Sequence, residues 1–312
     1  MLMVIGHRRL KWPAYVLMGI IVLAILLPIV ISINKKHNSL DYKLEELGYN
    51  ANEINLIKTL DEKSQNYILE NKYNKYYIDL LNEKYYIKGK FIEYINFHNK
   101  NGDYELNKVV SCVNTNCQKE EYEESVQANL SNPYLVLVNK NTYLDSTYIP
   151  ENLKDVSNWY AYEGRKLENT AYEAYIEMFN AAKEEDLHLI LNNGYRSYES
   201  QNQLFEEYKR DYGERQADQM TTRAGFSEYQ TGLALNIFAY YGDEDFVDTD
   251  EYTWLSNNAH KYGFILRYPK DKEYITKYEF ESYHYRYVGI EVATQIYTEN
   301  ITLEEYHAYY LK

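Results

Sequence analysis

The sequence predicts an α+β protein carried behind one apolar helix, and three observations predict it. Ala14 to Ile33 is an uncharged run of twenty residues. From Leu40 to about Lys100 apolar residues recur at helical spacing. Beyond Asn107, short strand-like runs alternate with amphipathic helical stretches. A chain of 312 residues holds a membrane anchor plus one or two domains, and 45% hydrophobic residues suffice for a core. The 38 tyrosines are read as half-buried packing with a wet hydroxyl. The formal charge is −14; residues 1–36 hold five basic and no acidic residues, so the remainder carries −19. Such a surface repels nucleic acid and anionic lipid heads, and a nucleic-acid role is excluded on that ground.

The apolar run has the length that crosses a hydrocarbon core, and Pro28 inside it is tolerated in a membrane helix. Arg8, Arg9 and Lys11 precede it and Lys35 and Lys36 follow, a slight excess that favours the N-terminus inside. No small-x-small cleavage site follows, and the run exceeds a usual signal-peptide core, so it is read as an uncleaved signal anchor. Residues 1–36 are then a cytoplasmic tip and anchor. Residues 37–106 are a helical stalk, with Leu44, Leu47, Ile54, Ile57, Leu60, Ile68 and Leu80 among its apolar positions and polar breaks such as Asn71-Lys-Tyr-Asn74. The stretch carries no site constellation. Its alternative reading is a module that binds a partner or a wall polymer.

Residues 107–312 form the remaining domain. Val109–Val113 reads as a strand, and so does Tyr134–Val138. Cys112 and Cys117 are the only cysteines; a disulfide and two independent thiols both remain open. Thr170 to about Lys183 is an amphipathic helix with Ala171, Ala174, Tyr175, Met178 and Ala182 on one face. Leu187–Leu191 is the next strand, and its lone His188 is read as structural. Gly194 suits a sharp backbone turn, and Ser197 suits the cap of a following helix. Asp250 to Tyr262 reads as a helix closed by Gly263, followed by the strand Phe264–Leu266. Thr302-x-x-Glu305 has the spacing of a capping box.

Three motifs carry a resemblance. The run Ser227-Glu-Tyr229-Gln-Thr-Gly232-Leu-Ala234-Leu-Asn236 resembles the S-x-H-x-x-G-x-A-x-D signature of the zinc D-alanyl-D-alanine carboxypeptidases, in the lysostaphin/hedgehog-like group of cell-wall metallopeptidases. Glu281-Ser-Tyr283-His284-Tyr-Arg286 resembles the family's E-x-W-H-x-R, with Tyr283 for Trp. Asn193-Gly-Tyr-Arg196-Ser-Tyr-Glu-Ser-Gln201 resembles its S-G-Y-R-S-x-x-x-Q. The resemblance implies a small antiparallel sheet flanked by helices that turns these motifs to one cleft. It implies Glu281 as general base and His284 as one zinc ligand. Tyr229 and Asn236 stand where the family has its other two ligands, His and Asp. It further implies that Arg196, helped by Gln201 and Ser227, holds the C-terminal carboxylate of a peptidoglycan stem peptide. An arginine at a helix N-terminus suits that task physically.

A catalytic zinc takes three protein ligands and a water whose pKa it lowers, and a carboxylate accepts the proton. Tyr229 offers a phenol of pKa ~10 and Asn236 a neutral amide oxygen. One imidazole with two such partners holds zinc far less tightly than two imidazoles and a carboxylate. His260 lies in a helix-end pattern and is not read as a replacement ligand. The reading is a membrane-anchored, zinc-deficient, non-catalytic relative that binds stem peptides or regulates an active partner. Its rivals are an active D,D- or L,D-carboxypeptidase with an atypical metal site, and a structural surface protein whose domain is only a scaffold.

Overall fold

The computed structural model describes residues 12–241 and 245–311, so the expected cytoplasmic tip lies outside the described residues. The chain divides into two compact units, Met1–Leu106 and Asn107–Lys312.

The first unit opens with helix α1 (Trp12–His37), which runs through Pro28 without a break. Within Tyr15–His37 an 18-residue window reaches a mean hydropathy of 3.1 with none of its residues buried, which makes the helix long and apolar enough to cross a membrane. Five short helices follow: α2 (Leu40–Leu47), α3 (Ala51–Ile57), α4 (Glu62–Leu69), α5 (Lys75–Leu81) and α6 (Phe91–Lys100). Polar residues at the breaks start the helices. Ser39, Asn50, Asp61 and Asn74 each accept a first-turn backbone N–H, and Asn50 closes a capping box with Glu53. The periodic apolar positions turn inward, so that Leu44, Ile54, Ile57, Leu60, Ile68, Leu80, Phe91 and Tyr94 are buried.

The second unit begins with α7 (Leu106–Thr115), which corrects the expected strand at Val109–Val113. Val109, Val110, Cys112 and Val113 are all buried there, and tertiary packing of this kind outweighs the weak strand preference of β-branched residues. A disulfide joins Cys112, inside this helix, to Cys117 just past its end. Tyr134–Val138 is corrected too: a 3₁₀ turn at Pro133–Leu135 leads into an irregular buried stretch. Its carbonyls do not join a ladder because Arg286 takes them, donating to Tyr134 O and Val136 O.

Two small strand pairs come next. β1 (Val126–Gln127) pairs in parallel with β2 (Thr142–Tyr143), and β3 (Leu153–Asp155) pairs antiparallel with β4 (Lys166–Glu168). The amphipathic helix appears as α8 (Asn169–Glu184), capped by Glu168. β5 (Leu189–Asn193) follows, then α9 (Tyr198–Tyr212), α10 (Glu214–Met220) and β6 (Ala234–Ala239). The rest comprises α11 (Asp250–Asn258), β7 (Phe264–Leu266), α12 (Glu273–Thr276), β8 (His284–Tyr287), α13 (Ile290–Glu299) and α14 (Leu303–Tyr310). The main sheet has the order β5-β6-β8-β7 with every pairing antiparallel, so the fold is α+β as expected. Ala171, Tyr175, Met178 and Ala182 of α8 share one core with Leu189 and Leu191 of β5, Leu235 and Ile237 of β6, and Trp254 and Leu255 of α11. That core backs the sheet, while Asn236 and His284 on its two central strands, β6 and β8, line a cleft.

Candidate active-site cleft

A cleft of about 1130 Å³ opens on the second unit and is lined by Arg196, Ser227, Tyr229, Asn236, Glu281 and His284 among others. Each arrives by a local rule. Asn236 of β6 and His284 of β8 are direct antiparallel partners, which sets their side chains beside each other. Tyr229 lies in a 3₁₀ turn, Glu228–Thr231, which Gly232 ends at φ 70°. That left-handed conformation favours glycine, and a Cβ there would come 3.1 Å from Glu168 N. Glu281 precedes β8 with its N–H on Tyr268 O, and reaches back to the histidine three residues on.

The side chains make a short polar chain. Tyr229 Oη donates to Asn236 Oδ1 at 2.7 Å and lies 3.3 Å from His284 Nδ1. Glu281 Oε2 is also 3.3 Å from His284 Nδ1. His284 is buried between the rings of Tyr229 and Tyr268, 5.2 Å and 4.8 Å away by centroid. Burial pushes the Tyr229 hydroxyl pKa well above its ordinary range, and the Glu281 charge adds to the rise against the opposing Arg196. Burial alone would lower the pKa of His284; hydrogen bonding and charge from Glu228 and Glu281 reverse this and raise it.

Arg196 stands immediately before the cap of α9, where Ser197 Oγ accepts Ser200 N at 3.2 Å. Its guanidinium lies 4.8 Å above the Tyr229 ring and donates to Gln201 Oε1 at 2.9 Å. Buried Gln201 is held in turn by Thr221 Oγ1 and Thr222 O. Burial lowers the pKa of Arg196 from its usual value. Gly194 serves this strand end by a route that differs from the expected turn. A Cβ at Gly194 would meet Lys166 O at 2.4 Å, so the residue permits a close strand approach, which Tyr195 N seals by donating to Lys166 O at 2.7 Å.

All seven residues singled out by the motifs therefore fall in or against one cleft: Arg196, Gln201, Ser227, Tyr229, Asn236, Glu281 and His284. His188 and His260 do not join it. The His188 ring lies against Tyr241, and the His260 ring stacks on Tyr297 at 3.9 Å. The sequence reading missed the charges behind the cleft. Glu228 accepts from Arg267 and Arg286, both fully buried, and Arg267 also grips Glu304. Burial would raise the Glu228 carboxyl pKa, yet the two guanidiniums and then His284 hold it well below the usual range. Glu228 and Arg286 lie inside the two quoted motifs, but sequence spacing carried no sign that they meet.

This arrangement has known counterparts. Residues 164–290 match the family described as VanY, D-alanyl-D-alanine carboxypeptidase. The Bacillus subtilis protein YodJ is 42% identical over 180 residues, which span 55% of this chain and 66% of YodJ. The solved structure of the LdcB LD-carboxypeptidase, described with peptidoglycan recognition, is 40% identical with a TM-score of 0.54. That likeness covers 57% of this chain and 88% of LdcB. The vancomycin resistance D,D-pentapeptidase VanY, solved as a mutant in complex with Zn(II), is 34% identical with a TM-score of 0.50. It is matched over 56% of this chain and 99% of its own. The second unit thus has the fold of a zinc-dependent cell-wall peptidase. The chain belongs to the VanY D-alanyl-D-alanine carboxypeptidase family.

Proposed function

We propose that this protein is a membrane-anchored, non-catalytic member of its family that holds peptidoglycan stem peptides by their terminal carboxylate, or regulates an active partner by doing so. One observation carries the reading: the Tyr229 hydroxyl bridges Asn236 Oδ1 and His284 Nδ1, at 2.7 Å and 3.3 Å, where the motif aligns the family's metal ligands. The donor set does not suit zinc. A phenol whose pKa burial pushes up resists the deprotonation that zinc binding requires, and Asn236 brings no negative charge. Among the described residues, no group of three His, Cys, Asp or Glu side chains is placed to hold a metal. The other half of the cleft keeps its chemistry. Arg196 lines the cleft at a helix start, oriented by Gln201, and Ser227 lines the same cleft, the combination suited to a carboxylate. The helix α1 is read as the anchor, with residues 107–312 outside the cell, where the wall substrate is.

The contact of Glu281 with His284 at 3.3 Å favours a second reading, an active D,D- or L,D-carboxypeptidase with an atypical metal site. Zinc content, D-Ala release and calorimetry with an acyl-D-Ala-D-Ala peptide, all on the full chain in detergent, separate the two. The binding reading expects peptide affinity without stoichiometric zinc and without D-Ala release. A wild type that holds one zinc and releases D-Ala overturns it, and a wild type that binds no peptide overturns it equally.

A further inference from the structure

Two stretches far apart in sequence line the cleft together: residues 221–223, which follow α10, and residues 277–281, which follow α12. A hydrogen bond joins them. Thr222 Oγ1 and Tyr278 Oη lie 3.0 Å apart, and either hydroxyl can donate. The Tyr278 ring is itself held in place. It stacks on buried Tyr268, with centroids 4.3 Å apart and planes within 25° of parallel, and Lys140 Nζ sits 4.9 Å over it.

From this bond a chain of contacts runs to Arg196. Gln201 Nε2 donates to Thr222 O at 2.6 Å and to Thr221 Oγ1 at 3.1 Å, which uses both protons of its amide. The amide oxygen is thereby turned the other way, where it accepts from Arg196 Nη1 at 2.9 Å. Gln201 is 2% exposed, so its amide has little water to turn to. A flipped amide would set oxygen against the Thr222 carbonyl and nitrogen against the guanidinium, two mismatches out of water. The pose of Arg196 therefore depends on where Thr222 stands. Residues 222 and 223 belong to no helix or strand, and Arg223 is tied back to Asp218 of α10 at 2.7 Å. The bond from Tyr278 comes from a different element, and it fixes Thr222 against the floor of the cleft.

We propose that Tyr278 is a positioning residue for Arg196: its hydroxyl holds Thr222, Thr222 holds the Gln201 amide, and the amide holds the guanidinium in the pose that takes a terminal carboxylate. This rests on the reading of the cleft as a carboxylate-binding site. The stretch that carries Glu281 then also braces the part of the cleft built on α9.

Calorimetry with two probes tests this on the full chain in detergent: acyl-D-Ala-D-Ala, and the same peptide ending in a carboxamide. The amide keeps the shape and drops the charge, so the ratio of the two affinities reports on Arg196. Tyr278→Phe keeps the stacked ring and removes only the hydroxyl. Its affinity for the acid should fall about two- to ten-fold, the range that one neutral hydrogen bond sets, while its affinity for the amide holds. Thr222→Val breaks the same bond from the other side and should show the same selective loss. The double variant should lose no more than either single one, because both remove one contact. Equal loss for acid and amide would mark a purely structural role and overturn the proposal. Additive losses in the double variant overturn it as well, since Tyr278 would then act by another route. Should Tyr278→Phe fail to fold, the acid-to-amide ratio of Thr222→Val decides. A wild type with no preference for the acid overturns the carboxylate reading and this proposal with it. A wild type that prefers the acid, with the same preference in Tyr278→Phe, overturns this proposal alone.

Discussion

At the scale of single residues, the proposed function divides the cleft into a half whose chemistry has changed and a half that keeps it. Arg196 is partly buried, is oriented by Gln201 and rests on the Tyr229 ring. A charge-assisted hydrogen bond contributes about 1.5–3 kcal/mol, so Arg196→Ala should weaken acyl-D-Ala-D-Ala binding about ten- to a hundred-fold in calorimetry. Equal affinity in wild type and variant would place the carboxylate elsewhere. The changed half invites repair. Tyr229→His combined with Asn236→Asp should restore stoichiometric zinc, because Asn236 and His284 are already cross-strand partners and Tyr229 already reaches both. Each single change should do less, since ligand contributions are not additive. D-Ala release should lag behind metal content, because Tyr283 stands for the family's Trp beside His284 and outer contacts orient ligands. A folded double mutant that takes up no zinc would show that the cleft has lost more than two ligands.

At the scale of elements, the strand end at Gly194 and the helix start after it place Arg196. Gly194→Ala sets a methyl 2.4 Å from Lys166 O, a backbone atom that has no flexible end to move aside. Stability should fall by about 1–3 kcal/mol, measured by denaturant midpoint, with peptide affinity falling alongside it. Much at this scale was legible in sequence. The face of α8, the Ser197 cap, the Gly263 helix stop and the Thr302–Glu305 capping box all appear where the pattern predicts them. These are local signals, and the structure leaves them undisturbed. Val109–Val113 and Tyr134–Val138 were misread because their apolar, β-branched runs report burial and not backbone geometry. The first packs as a helix, and the second lends its carbonyls to Arg286, a residue about 150 positions away.

At the scale of the molecule, α14 closes the second unit. Glu305 caps its own helix, accepts from Ser111 of α7 at 2.6 Å and pairs with Lys272, while Glu304 pairs with Arg267. His307 sits on the same helix near Glu304, Arg286 and Arg267, and burial lowers its pKa despite hydrogen bonding and the Glu304 charge. A depressed histidine favours the neutral form in the folded state, so its protonation opposes folding. Stability is unaffected by this group above the unfolded-state pKa near 6.5 and declines as pH falls below it. The apparent Tm of the wild type should therefore drop more between about pH 6.5 and 5 than that of His307→Gln. Parallel curves would remove His307 as the cause. The sequence by itself determined the apolar helix, the caps at Ser197 and Thr302, the family and seven residues that meet at the cleft, because each rests on short-range spacing or on motifs. Only the tertiary structure decided that Tyr229 bridges Asn236 and His284, and that Glu228 stands behind the imidazole between two buried arginines. Tyr229 and Asn236 are seven positions apart, but the contacts that reach His284, Arg267 and Arg286 join residues tens of positions apart, brought together by strand pairing and by the pairing of buried charges.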